Sequence, residues 1–249
     1  MERKTVTLRV TKGIILAAGD GNRLGMLTER CPKVLMPVGG QPLIGYPLAA
    51  QAAAGIEEIA IVVGYLEDQI REVLADGSQF GVSLSYIHNG YYLGGNAISV
   101  HRAREWVQGA PVVLCMGDHL IEKRLVSRLL ESGATEDTLC VDHSPGEYID
   151  IKEATKVVLD GDGYITDIDK GLAHWDALDT GVFLLTNRFF CVMDKLVRRK
   201  GVGLEIVDAI RFMIGQGYRF DTCDVSGCFW MDVDTKDDLN TIRSLVDGL

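Results

Sequence analysis

The sequence predicts a single domain of the α/β class, with a mixed, mostly parallel central sheet flanked by helices. Residues 13–18 (GIILAA), 59–63 (IAIVV) and 112–116 (VVLCM) are continuous apolar runs, as in strands buried on both faces. Amphipathic helical text separates them, and strand–helix–strand order implies parallel pairing through right-handed crossovers. The chain has 249 residues, enough to bury a core without disulfide or metal staples.

Taken in order, the alternating stretch 5–11 reads as strand-like and precedes the first buried strand. Leu66, Ile70, Val73 and Leu74 share one helical face, stopped by Gly77; Leu125, Val126, Leu129 and Leu130 share another, stopped by Gly133. Between them, 82–88 alternates as a strand does, and 97–107 reads as one helix. Residues 155–159, the glycine turn 160–163 and 164–169 predict a hairpin. A strand over 180–185, helices over 187–199 and 204–214, and strands over 219–225 and 228–231 follow. Thr235 is a candidate N-cap for a last helix carrying Leu239, Ile242, Leu245 and Val246 on one face.

Composition excludes several classes of function. Hydrophobic residues make up 47% and charged residues 24%, a globular balance rather than a disordered one. A net charge of −10 speaks against nucleic acid or an anionic membrane as partner. No apolar run reaches the roughly 18–20 residues of a membrane span. The opening Met1-Glu2-Arg3-Lys4 is not followed by a signal-peptide core, and the six cysteines show no CxxC spacing. These features predict a protein of the reducing cytoplasm, without zinc or a disulfide framework.

The chemistry starts after the first strand, at Leu16-Ala17-Ala18-Gly19-Asp20-Gly21-Asn22-Arg23-Leu24-Gly25. Glycines there let backbone N–H groups approach a phosphate. A dinucleotide fingerprint fails, because the third glycine is one position late and Gln41 stands where an acid is required; a P-loop fails, because Met26 follows Gly25. Arg23 and the later Lys33, in Pro32-Lys33-Val34-Leu35-Met36-Pro37, flank the loop with two cations, which suits a triphosphate better than a single phosphate. A βα turn with a surface arginine and a surface lysine is the plain alternative.

The text G-I-I-L-A-A-G-D-G-N-R-L followed by P-K-V-L-M-P-V-G-G-Q-P-L-I, over residues 13–44, resembles the opening of the nucleoside-diphosphate-sugar pyrophosphorylase (nucleotidyltransferase) superfamily. The resemblance implies a Rossmann-like domain spanning 1–249, with a nucleotide-binding half over 12–120 and an acceptor-binding half over 121–249. It implies that the backbone at Leu16, Ala17, Gly19 and Gly21 holds the nucleotide, and that Arg23 and Lys33 contact the triphosphate as catalytic cations. Gly117-Asp118-His119 and Trp230-Met231-Asp232-Val233-Asp234-Thr235 match the superfamily's two acidic sites, which assigns Asp118 and Asp232 as Mg²⁺ ligands. Asp234 then reads as a loop or capping residue and His119 as pocket-lining.

Asp169-Lys170 resembles the acid–lysine pair of the acceptor pocket. Lys170 is expected to hold the acceptor phosphate, with Asp169 and Asp179 as hydroxyl partners; Lys156 reads as a solvated strand lysine. The stretch 89–99, with Asn96 and Ser99, and the G-D-H motif depart from the sugar-phosphate pattern and look more like the cytidylyltransferase branch. Asn96 and Ser99 are expected at the base, asparagine offering both donors and acceptors to cytosine. The implied reaction transfers CMP from CTP to inositol-1-phosphate. Choline phosphate is an alternative if Tyr91, Tyr92, Tyr148 and Trp175 form a cage. A sugar-1-phosphate with UTP, dTTP or GTP is another, and a non-catalytic nucleotide sensor a third. Some members are fused to a membrane CDP-alcohol phosphotransferase; this chain is either freestanding or one part of such a protein.

Overall fold

The computed structural model describes residues 9–246. Of the strand-like text at 5–11, residues 5–8 lie outside the described residues, and 9–11 carry no strand. In the first half β1 (Lys12–Ala17) is followed by a small ribbon of β2 (Pro37–Val38) and β3 (Gln41–Pro42). Then come α1 (Gly45–Ala53), β4 (Glu58–Val63), α2 (Glu67–Leu74), β5 (Ser83–His88), α3 (Asn96–Arg102), α4 (Arg104–Val107) and β6 (Val112–Met116). The second half runs β7 (His119–Ile121), α5 (Lys123–Glu131), β8 (Thr138–Asp142), β9 (Lys156–Leu159), β10 (Ile165–Asp169) and β11 (Ala177–Leu185). It ends with α6 (Asn187–Lys200), α7 (Ile206–Gly215), β12 (Asp221–Asp224), β13 (Trp230–Asp232) and α8 (Lys236–Val246).

One nine-stranded sheet runs β10-β9-β11-β6-β1-β4-β5, with β8 branching from β11 and β12 from β8. Strands β6, β1, β4 and β5 are parallel; β11 returns antiparallel beside β6, so both halves of the chain share the sheet. The continuous apolar runs have the predicted cause. Ile15, Ile61 and Cys115 face one core with α1, α5 and α8, while Ile14, Ala60 and Leu114 face a second core with α3, α6 and α7. The architecture is the predicted mixed, mostly parallel sheet between helical layers.

The differences are local. The predicted helix over 97–107 divides at Ala103 into α3 and α4. In α2 Ile70 and Leu74 are buried, but Val73 is exposed and Leu66 sits before the helix in a left-handed conformation. The short β7 and β8 and the buried α1 went unread, because they give too few periods, or no apolar–polar contrast, to register as a pattern.

Candidate active site

The parallel strands end at one edge, as ligand sites in such sheets require. Gly117 N–H donates to the Leu16 carbonyl at 2.9 Å and Tyr65 N–H to that of Ala18 at 3.0 Å, which gathers the loops after β1, β4 and β6. A Cβ on residue 117 would stand 2.5 Å from the Leu16 oxygen, so only glycine lets the chain bring Asp118 across the end of β1. A cavity of about 710 Å³ opens here, joined by one of about 290 Å³ against the glycine loop. Leu16, Gly19 and Gly21 line them as expected. Ala17 does not: its position is buried in the core beneath.

Four charged side chains meet at the junction of the two cavities. Lys33 Nζ lies 2.5 Å from Asp118 Oδ2 and 2.8 Å from Asp234 Oδ1, with its side chain 12% exposed. The Arg23 guanidinium pairs with Asp234 Oδ2, and also approaches Glu153 at 3.9 Å. Burial alone would push the Lys33 ammonium down; Asp118 and Asp234 more than reverse this and hold it above the ordinary lysine range. Burial likewise opposes ionisation of Asp118, but Lys33 and His119 hold its carboxyl well below the usual range. The His119 imidazole lies 2.9 Å from Asp118 and is raised by that carboxylate against the effect of burial.

Asp234 therefore corrects the sequence reading. Its carboxylate joins the site, and the capping is done by Asp238. The Thr235 hydroxyl accepts from Asp238 N–H at 3.2 Å, while Asp238 Oδ2 accepts from Thr235 N–H at 2.7 Å, a reciprocal cap that confirms Thr235 as N-cap. Asp232 arrives through the antiparallel pairing of β13 with β7, which sets it opposite His119, and Val233 N–H donates to the Asp118 carbonyl at 3.1 Å. Burial, with Asp234 and Asp118 close by, raises its pKa, His119 opposing only in part.

Three neighbouring carboxylates with excess negative charge fit a hard cation that takes one or two of them and completes its shell with phosphate oxygens and water. Among the described residues, no group of three or more His, Cys, Asp or Glu side chains is arranged to hold a metal by itself.

Of the residues expected at an acceptor, Asp169, Lys170 and Asp179 all line the cavity. Asp179 sits where the β11–β8 register shifts, and its Oδ1 accepts from Gly181 N–H at 2.7 Å. Gly181 has φ +75°, and a Cβ there would meet the His119 ring at 2.7 Å. Burial pushes the Asp179 carboxyl up to about 6. Asp169 is already engaged: Oδ1 accepts from Gly171 N–H at 2.7 Å and Oδ2 from Arg211 at 2.6 Å. Lys156 is not solvated, as its strand position predicted, but 7% exposed, and it donates to the Lys170 carbonyl at 2.6 Å. Alternation along a strand cannot tell an ammonium facing water from one facing backbone carbonyls.

The two residues expected at a base, Asn96 and Ser99, line the cavity one helical turn apart on α3. The Asn96 side-chain oxygen accepts from Ile206 N–H at 2.8 Å, so it is not the free acceptor expected for cytosine. Ser99 Oγ accepts from the buried Asn89 amide at 3.0 Å. Of the four rings proposed as a cage, only Tyr92 lines the cavity; Tyr148 stacks on Phe229 at 4.9 Å and Tyr91 lies against Arg102.

Sequence reasoning missed Arg211, Glu153 and Glu205 at this cavity. The capping signal Glu205-x-x-Asp208 was readable and locates the start of α7, from which Arg211 projects.

The family described as nucleotidyl transferase matches residues 12–247. The chain belongs to that family. A "Bifunctional IPC transferase and DIPP synthase" of Aquifex aeolicus is 32% identical over 236 residues, covering 94% of this chain and 51% of the relative. The chain thus spans about half the length of that relative. A glucose-1-phosphate thymidylyltransferase of Streptomyces griseus is 28% identical over 239 residues, covering 94% and 66%. Among solved structures, the inositol-1-phosphate CTP transferase from T. maritima superposes with a TM-score of 0.84 at 23% identity over 96% of each chain, which establishes the nucleotidyltransferase fold. Among the described residues no helix is long and apolar enough to cross a membrane.

Proposed function

We propose that this nucleotidyltransferase moves CMP from CTP to the phosphate of a small phosphorylated polyol, inositol-1-phosphate by preference, forming CDP-inositol and pyrophosphate. The observation that carries the reading is the meeting of Lys33, Arg23, Asp118 and Asp232 where the two cavities join, the larger of which Lys170 also lines.

Lys33 and Arg23 take the charge of the triphosphate and of the leaving pyrophosphate. At about 4 Å and an effective dielectric near 20, each unit charge pair is worth roughly 4 kcal/mol. Lys170 holds the acceptor phosphate, which is anionic at neutral pH and attacks the α-phosphorus in line without a general base. Asp118 and Asp232 would hold Mg²⁺, which neutralises charge at the α-phosphate when bound.

Hydrogen-bond accounting favours cytosine. With one lone pair of the Asn96 oxygen and one of Ser99 Oγ already used inside the protein, the groups of these two side chains that remain wholly unengaged are N–H and O–H donors. Cytosine presents acceptors at N3 and O2, whereas uracil and thymine place a donor at N3. The dispersed aromatic rings favour a polyol over a quaternary ammonium, and the name of the T. maritima structure, an inositol-1-phosphate CTP transferase, supports the same acceptor. The reading includes action in the cytoplasm and a membrane CDP-alcohol phosphotransferase, fused or separate, as consumer of the product.

The test is pyrophosphate release with CTP, UTP, dTTP or GTP against inositol-1-phosphate, glucose-1-phosphate and choline phosphate. Turnover confined to CTP with inositol-1-phosphate is expected. Turnover with a sugar phosphate and another nucleotide overturns the substrate assignment; CTP binding without pyrophosphate from any acceptor replaces the enzyme with a nucleotide sensor.

A further inference from the structure

Arg211 lies on α7, packed over β10, and its guanidinium is gripped by two carboxylates: Nε donates to Asp167 Oδ1 at 2.8 Å and Nη1 to Asp169 Oδ2 at 2.6 Å. Arg211 and Asp169 line the cavity; Asp167 does not. Asp208 adds a third carboxylate to the field at the guanidinium. One positive charge among these acids makes a poor seat for a phosphate dianion. Lys170, the next residue after Asp169, lines the same cavity and forms no ion pair among the described residues, so the phosphate belongs there. What the Arg211 wall does offer is N–H donors left over from the two bonds and a second lone pair on each Asp169 oxygen, fixed side by side. Adjacent donor and acceptor groups of this kind match the adjacent hydroxyls of a polyol, each of which both donates and accepts.

We propose that Arg211, locked by Asp167, acts with Asp169 as a hydroxyl-recognising pair that selects polyol acceptors, while Lys170 takes the phosphate. The inference rests on the acceptor reading above.

The test compares inositol-1-phosphate with ethyl phosphate, which has no hydroxyl, in the wild type and in Arg211→Gln, Arg211→Lys, Asp167→Asn and Lys170→Gln. Pyrophosphate release with CTP is followed; where ethyl phosphate gives no turnover, its inhibition constant against inositol-1-phosphate is used instead. Arg211→Gln is expected to lower kcat/KM for inositol-1-phosphate by about 10- to 100-fold, the usual cost of a hydrogen bond to a charged group, and to leave ethyl phosphate and the KM for CTP unchanged. Arg211→Lys keeps the charge without the fork and falls between; Asp167→Asn shifts the same ratio less. Lys170→Gln weakens both acceptors alike. Equal losses for both acceptors in Arg211→Gln, with the CTP constant intact, would make Arg211 a phosphate ligand and overturn the proposal. So would equal losses that extend to CTP, which mark a structural role. A wild type that ignores polyol phosphates refutes the acceptor reading itself, an outcome visible before any variant is made.

Discussion

Asp234 carries both of the cations assigned to the triphosphate: its two carboxylate oxygens accept from Lys33, at 2.8 Å, and from Arg23. In the free protein these cations are therefore already paired, and on the proposed function nucleotide binding exchanges one anion for another. Replacing Asp234 with Asn should destabilise the free protein by about 1–3 kcal/mol, because the enclosed Lys33 ammonium is left with Asp118 alone and the half-exposed Arg23 loses its nearest carboxylate. The same change should tighten binding of CTP in the presence of EDTA, where no metal needs the carboxylate. Chemical denaturation and calorimetric titration read the two effects; weaker metal-free binding would refute the competition.

Lys33→Ala removes the more enclosed of the two cations. Turnover should fall by about 10²–10³, the range for loss of one charge-stabilising group. Near-normal turnover would show that the ammonium serves only to neutralise Asp118 and Asp234.

Asp179 supplies a pH signature of stability. Its carboxyl titrates at about 6 in the folded protein against 3.8 for the free side chain. The folded state thus binds the proton more tightly, and the contribution is fully present below about pH 4 and lost as pH rises to about 6. Its size is on the order of 2–3 kcal/mol. Asp179→Asn keeps an oxygen to accept from Gly181 N–H and should flatten the melting-temperature profile between those pH values in metal-free buffer. An unchanged slope would assign the pH dependence elsewhere.

Lys156 donates to the carbonyl of Lys170, so its removal leaves a part-buried acceptor unpaired beside the proposed acceptor site. Lys156→Met should cost about 1–3 kcal/mol of stability. It should also raise the KM for inositol-1-phosphate while leaving that for CTP unchanged. A change in both constants would point to a general loss of structure rather than misplacement of the Asp169–Lys170 turn.

The sequence by itself determined the parallel half of the sheet, because strands buried on both faces must be apolar throughout and so stand out as 13–18, 59–63 and 112–116. It also located the glycine loop, Arg23, Lys33, Asp118 and Asp232, since strand ends and a long linear motif are local properties of the chain. Only the tertiary structure decided how side chains spend their hydrogen bonds. Asp234 read as a loop or capping residue; it does lie in the loop between β13 and α8, but the pairing of β13 with β7 sets its carboxylate against Lys33. Asn96 looked like a two-way reader of the base until the start of α7 claimed its oxygen. Lys156 looked solvated until the Lys170 carbonyl, just past the end of β10, took its ammonium, and Arg211 gave no signal because its partners Asp167 and Asp169 lie more than forty positions away. Charge and hydrogen-bond pairing act through space between distant segments, and periodicity along the chain carries no record of them.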